Sequence, residues 1–232
     1  MNQALATRTS PSLAPGTLVL VPVGSLEQHG PHLPLDTDTV IAQAVTDEVA
    51  ARLPGDVLVA PALSYGSSGE HQHFAGTSSI GSETLRLVIV ELVRSMRTWA
   101  GRVLFINAHG GNLTALQGGV LQLLDEGHDV GWLACATEEV DAHAGFTETS
   151  LMLHLRPGSV RLDLAEAGNT APIGDLLGAL VSGGVIAVAP NGVLGDPAGA
   201  DAGEGARLLE VMASDLVAAI SRGSRDGRGR LR

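Results

Sequence analysis

Four short apolar runs punctuate the chain, at residues 17–23, 57–63, 102–107 and 130–135. Each is continuous rather than alternating, which is the pattern of a strand buried on both faces of a sheet. Between them, apolar positions recur at helical spacing. Thr39–Leu53 carries Val40, Ala44, Val45 and Val49 and stops at Pro54-Gly55, with Asp38 near its N-cap. Ser82–Ala100, Leu113–Glu126 and Glu204–Ile220 are predicted helices, and Leu151–Leu155 is an apolar helical stretch. Strands alternating with helices predict an α/β fold: a mostly parallel central sheet in a three-layer α/β/α sandwich. No linker or repeat interrupts residues 17–220, so one domain is expected there. The polar segment 1–16 is expected to be flexible, and the Gly/Arg/Ser-rich tail 221–232 to fray.

In such sheets the functional site lies beyond the carboxyl ends of the strands. The polar loops of this chain start there. One follows the first strand (24–38), another is the Gly/Ser-rich stretch 64–81, a third opens Asn107-Ala108-His109-Gly110-Gly111-Asn112, and the fourth covers 141–150. A glycine-rich loop at 190–205 is a turn region, open to a role as pocket wall or subunit contact.

Composition narrows the chemistry. The net charge is −11, which argues against a nucleic-acid surface. There is no lysine, so Schiff-base chemistry and a Walker A phosphate loop are excluded. The lone Cys135 cannot form an internal disulfide and reads as a buried small apolar residue. With no basic-apolar leader, a reducing cytoplasm is the expected location. No run approaches the ~20 apolar residues of a membrane helix.

The acidic and histidine residues are concentrated. Residues 22–38 hold Glu27, His29, His32, Asp36 and Asp38 on a segment stiffened by prolines. Carboxylates and imidazoles gathered on a stiff loop suit a divalent cation better than a core. Glu27 and His29, two apart in extended chain, can reach one cluster. Asp38, at the mouth of a helix, can bridge two cations with its two oxygens. His109 follows a buried strand, and the glycines after it allow close backbone approach. This donor set suits zinc, iron or manganese.

Four blocks carry a family resemblance: Glu27-Gln28-His29-Gly30-Pro31-His32, Asp36-Thr37-Asp38, the Asn107–Asn112 block, and His143-Ala144-Gly145-Phe146-Thr147-Glu148-Thr149-Ser150. Together they resemble the creatininase family of metal-dependent amidohydrolases, over about residues 19–206. The resemblance implies a creatininase-like α/β/α domain with two divalent metal ions (Zn, Fe or Mn), assembled as a homo-oligomer, a hexamer or octamer. Glu27, Asp38 and His109 would hold one ion; His29 and Asp38 would hold the other. Creatininase itself has a Tyr-Glu pair after the motif histidine, and that Glu is a ligand. Here Gly110 and Gly111 stand there, and Glu148 becomes the candidate for the missing ligand. Creatininase also has lid tryptophans ahead of the His143 block, where this chain has Glu138, Glu139, Val140 and Asp141, so creatinine is not the expected substrate. Within the family, Leu-Pro-Leu-Asp-Thr-Asp-Thr and the compact length resemble the subgroup that removes the modified C-terminal Val-Tyr piece of the mycofactocin precursor peptide.

The implied reaction is hydrolysis of a C–N amide bond. Ions bridged by Asp38 would lower the pKa of a shared water toward ~7. His143 is the candidate catalytic acid for the leaving nitrogen. Glu70, His71, Asn107, Gly110 and Gly111 are candidates for lining the pocket or supporting ligands. His32 is a candidate for fixing the tautomer of His29. His128 and His154 receive no role. The alternative within the family is a small-molecule amidohydrolase or deformylase with a formamidopyrimidine or creatinine-like substrate. A serine hydrolase is disfavoured by the lack of a Gly-x-Ser-x-Gly elbow. A non-catalytic module is disfavoured by retention of the acidic and histidine set.

Overall fold

The computed structural model describes residues 3–137 and 141–232. The positions of Glu138, Glu139 and Val140, which stand ahead of the His143 block, lie outside the described residues. Four strands form one parallel sheet: β1 (Leu18–Val23), β2 (Val57–Val59), β3 (Arg102–Asn107) and β4 (Val130–Ala134), in the order β2-β1-β3-β4. Six helices accompany them among the described residues: α1 (Thr37–Arg52), α2 (Ser82–Met96), α3 (Leu113–Asp125), α4 (Phe146–Leu155), α5 (Ile173–Gly183) and α6 (Ala202–Arg222).

The continuous apolar strands have the expected cause. On one face Leu20, Leu104, Ile106 and Leu133 meet Ile41, Val45 and Val49 of α1 and Leu208, Met212 and Leu216 of α6. On the other, Val19, Val21, Val103, Phe105 and Trp132 meet Leu85, Ile89 and Val93 of α2 and Leu116, Val120 and Leu123 of α3. Alternate strand residues feed opposite layers, so neither face tolerates a polar side chain. The chain leaves β1 toward β2 on one side, while β3 adds on the other. That reversal opens a crevice at the carboxyl ends of β1 and β3.

Several boundaries differ from the expectation. β2 stops at Val59 rather than running to residue 63; the Ala60 amide makes the last regular bond to β1, at the Leu20 carbonyl. Pairing resumes only where the Leu63 amide donates to Pro22. α1 begins at Thr37, which places Asp38 inside its first turn. α2 ends at Met96, and the Arg97 guanidinium caps the carbonyls of Ala100 and Gly101. The segment 141–150, read as a loop, becomes α4 from Phe146 onward. Helix α5 went unread in the sequence; it buries none of its residues.

Residues near both termini pair with the edges of the sheet. The Val59 amide donates to Gln3, whose side chain donates to the Ala50 carbonyl, covering the outer edge of β2. At the other edge, the Trp132 amide donates to Gly229, and Leu231 donates back to Trp132. Leu231 is 2% exposed and joins the core. The two ends therefore close the open hydrogen-bonding edges of the sheet.

Candidate metal centre

Four strand ends deliver the site. The loop after β1 carries Glu27, Gln28 and His29, and the first turn of α1 carries Asp38. The loop after β2 carries Glu70 and His71, that after β3 carries His109, and the segment after β4 carries His143 and Glu148. Glu27, His29, Asp38, His71, His109 and His143 are all buried.

Glu27 is 0% exposed, and neither of its carboxylate oxygens has a hydrogen-bond partner. Burying a carboxylate in that condition costs several kcal/mol unless something compensates it. What surrounds it is a set of donors at cation-sharing distances. Its Oε2 lies 3.2 Å from His109 Nε2, while His109 Nδ1 lies 3.3 Å from Asp38 Oδ2. Asp38 turns its other oxygen, Oδ1, to His29 Nε2 at 3.2 Å, and Glu148 Oε2 lies 3.8 Å from the same nitrogen. Ligands held ~2.0–2.2 Å from a tetrahedral ion stand ~3.3–3.6 Å apart. These spacings are compatible with a shared cation, and the two Asp38 oxygens face different groups. Glu27, Asp38 and His109 form one cation-compatible group, and His29, His143 and Glu148 another.

Backbone carbonyls orient the imidazoles. His29 Nδ1 donates to the Glu27 carbonyl at 3.1 Å, so Nε2 is the free nitrogen. His109 Nε2 donates to the Ser67 carbonyl at 3.1 Å, which frees Nδ1 toward Asp38. His32 does not set the His29 tautomer, as the sequence reading expected. It bonds Thr149 Oγ1 at 2.9 Å instead, tying the first loop to α4. Asn107 stays out of the pocket. Its side chain donates to the His109 carbonyl and accepts from Asn112, which also holds the Gly24 carbonyl and the Ser67 amide.

Gly110 and Gly111 are not equivalent. A Cβ at Gly110 would meet nothing within 4 Å. At Gly111 it would lie 2.2 Å from the Ser67 carbonyl, 2.4 Å from His109 Nε2 and 2.5 Å from Glu70 Oε1. Glu70 fills that space, its carboxylate 3.5 Å from His109 Nε2. Glu148 approaches from α4, and the Ala144 amide donates to its Oε2 at 2.6 Å.

Electrostatics follow from burial and mutual charge. Burial pulls the His29 and His109 pKa values down, but Asp38 beside His29 and Glu27 beside His109 carry both up to about 10. Burial pushes Glu27 and Glu148 up to about 7. For Asp38 burial acts upward, yet the charge of His29 wins and holds it below the usual carboxylate range. Burial drops His71 to about 4 and His143 well below the ordinary histidine value. Protons on His29 and His109 thus balance the carboxylates where cations would otherwise do so.

Sequence reading missed Gln28, Ser25 and Ser68. Ser25 Oγ donates to Asp38 Oδ2, and Ser68 Oγ lies 3.4 Å from His109 Nε2. Gln28 is 5% exposed and touches both His71 and His143. Its place between two motif residues was the available signal.

Comparison with known proteins agrees with this arrangement. The family model for creatininase, described as creatinine amidohydrolase, matches residues 6–220. The mycofactocin precursor peptide peptidase of Mycobacterium ulcerans is 53% identical over 94% of this chain and 90% of its own length. That of Mycolicibacterium smegmatis is 49% identical over 92% of this chain and 88% of its own length. A solved structure titled creatininase Mn superposes with a TM-score of 0.76 at 25% identity, covering 96% of this chain and 99% of that one. With the family model spanning nearly the whole sheet and every strand-end loop of the site, the chain belongs to the creatininase family.

Proposed function

We propose that this protein is a dinuclear metal-dependent hydrolase that releases the modified C-terminal Val-Tyr piece of the mycofactocin precursor peptide. The observation that carries the metal part is Glu27, a wholly buried carboxylate without hydrogen bonds among His109, Asp38 and His71. The substrate part is supported by the relatives that bear that peptidase name at about half identity over most of the chain.

Glu27, Asp38 and His109 would hold one cation, and His29, Asp38 and Glu148 the other. When bound, such ions polarise the scissile carbonyl and lower the pKa of water toward ~7. The protein's own groups do the rest. His143 donates through Nε2 to the Gln28 carbonyl at 2.8 Å, leaving Nδ1 unprotonated and 3.7 Å from Glu27 Oε1. Burial keeps it neutral, and its bare Nδ1 is the atom that takes a proton from the attacking water. It then returns that proton to the departing amide nitrogen, acting first as base and then as acid. Glu70, partly exposed beside His109, stands at the rim where a peptide enters. The products are a new peptide carboxylate and the free amine of the released piece.

The reading includes a cytoplasmic homo-oligomer, a hexamer or octamer. Exposed Ile173, Leu177 and Val181 on α5 give an apolar face that suits subunit contact. Light scattering of the purified protein tests the assembly.

The deciding experiment is incubation of zinc-, iron- or manganese-loaded protein with the modified precursor peptide, read by mass spectrometry. Release of the C-terminal fragment, abolished by chelation, is expected. No release, together with deformylation of a small formamidopyrimidine, would replace the peptidase with a deformylase.

A further inference from the structure

The group Glu27, His71 and His143 also gathers three donors within cation-sharing reach. Whether it is a third ion site depends on which histidine nitrogens carry protons. Gln28 answers that question.

Two backbone groups fix the orientation of the Gln28 amide. The Gly30 N–H can only donate, and it lies 2.9 Å from one end of the amide, which is therefore Oε1. The Gly192 carbonyl can only accept, and it lies 3.0 Å from the other end, which is therefore the NH2. Gly192 has φ +83°, and a Cβ there would sit 1.9 Å from Gln28 Oε1, so the cradle admits no side chain. The NH2 group has two protons. One goes to Gly192. The other has two neighbours, His71 Nδ1 at 2.9 Å and His143 Nε2 at 3.0 Å. His143 Nε2 already donates to the Gln28 carbonyl at 2.8 Å, so it cannot accept. The remaining proton therefore goes to His71 Nδ1.

The consequence reaches Glu27. With Nδ1 accepting, neutral His71 carries its proton on Nε2, 3.3 Å from Glu27 Oε1. That nitrogen has no lone pair for an ion. We infer that Gln28 is a positioning residue that holds both His71 and His143 in the Nε2–H form, so that His71 presents no lone pair on its Glu27 side and His143 turns a lone pair into the site. On this assignment the third group holds no cation. Glu27 is left to ligate through Oε2, toward His109 and Asp38. The two halves of Gln28 act separately, the side chain setting His71 and the backbone carbonyl setting His143.

The role of Gln28 in turnover rests on the hydrolase reading; the proton assignment does not. The test is long-range 1H–15N correlation on full-length, 15N-histidine-labelled, zinc-loaded protein. Single His71→Gln and His143→Gln variants assign the resonances. In the unaltered protein both histidines should show a protonated Nε2 and a bare Nδ1. Gln28→Met keeps the length of the side chain and removes its amide. It should release His71 into mixed tautomers and leave His143 unchanged. It should also lower kcat about 10–100-fold, the usual effect of losing a group that orients a ligand, with KM little altered. A protonated Nδ1 on His71 in the unaltered protein overturns the inference without need of any variant. So does an unchanged His71 spectrum in a folded Gln28→Met protein, or a third equivalent of zinc bound. Spectra as expected with no peptide cleavage would remove the hydrolase reading and leave the Gln28 assignment standing.

Discussion

Replacing Gly111 by alanine adds a single methyl group beside the proposed centre, and its effect can be worked from distances. The new Cβ would lie 2.2 Å from the Ser67 carbonyl oxygen and 2.4 Å from His109 Nε2. Non-bonded carbon and oxygen atoms need at least about 3 Å, so one partner must retreat by about 0.8 Å. Glu70, at 2.5 Å, can swing toward solvent. Ser67 cannot yield so easily. Its amide cannot shift without breaking its bond to Asn112, and its carbonyl holds His109 Nε2 at 3.1 Å.

The displacement therefore passes to His109. Overpacking of this kind costs about 1–3 kcal/mol. For a chain of this size that is a melting temperature lower by roughly 2–12 °C, since each kcal/mol is worth about 2–4 °C. A misplacement near 1 Å costs on the order of 100-fold in turnover. Gly110→Ala is the matched control, because nothing lies within 4 Å of its Cβ. The assay pairs bound metal by elemental analysis with thermal melting and peptide turnover. Gly111→Ala should lose metal from the Glu27/Asp38/His109 group and lose activity, while Gly110→Ala keeps both. Equal damage from the two substitutions, or full metal and activity in Gly111→Ala, would refute the reasoning.

Four further outcomes are expected. Because His29 and His109 rise to about 10 without metal, zinc added to chelator-treated protein at pH 8 should release protons, seen with an indicator dye in weak buffer, and bind more tightly as pH rises toward 10. The sign for stability follows: a histidine with a raised folded pKa stabilises fully below ~6.5 and loses that contribution as pH climbs to about 10, so the chelated protein should melt lower at pH 9 than at pH 7. Glu148→Gln keeps an acceptor for the Ala144 amide but removes the charge; bound metal should drop from two equivalents toward one, and two retained equivalents would exclude Glu148 as a ligand. Leu231→Ala should cost about 2–5 kcal/mol in urea unfolding, because the side chain is buried against β4 rather than frayed.

The fold was legible in the sequence wherever burial was two-sided. β1, β3 and β4 read as continuous apolar runs because helices cover both faces, and α1, α2, α3 and α6 kept a helical period because each packs one face on that sheet. α5 went unread although its apolar positions Ile173, Leu177 and Val181 fall at helical spacing; none of its residues is buried. The termini are a different case. Their Gly, Arg and Ser composition describes side chains, whereas residues 3 and 229–231 are held by backbone bonds to β2 and β4 that any sequence can make.

The same division explains the site. Glu27, His29, Asp38 and His109 were legible as candidate donors because metal chemistry needs those side-chain types, and glycines and prolines mark the loops that present them. Glu148 was reached only through family resemblance, since one glutamate in a helical turn carries no pattern of its own. What could not be read was orientation. Nothing in the residue order signals that His29 is turned by the carbonyl of Glu27, that His109 is turned by Ser67, or that Thr149 rather than His29 receives His32. Those bonds end on backbone carbonyls and hydroxyls, which every segment supplies in quantity. A motif therefore names the donors of a metal centre, while the folded backbone decides which nitrogen each one offers. Gln28 stands where the two meet: an ordinary amide within a motif, whose placement fixes the protons of two histidines that follow it by 43 and 115 residues.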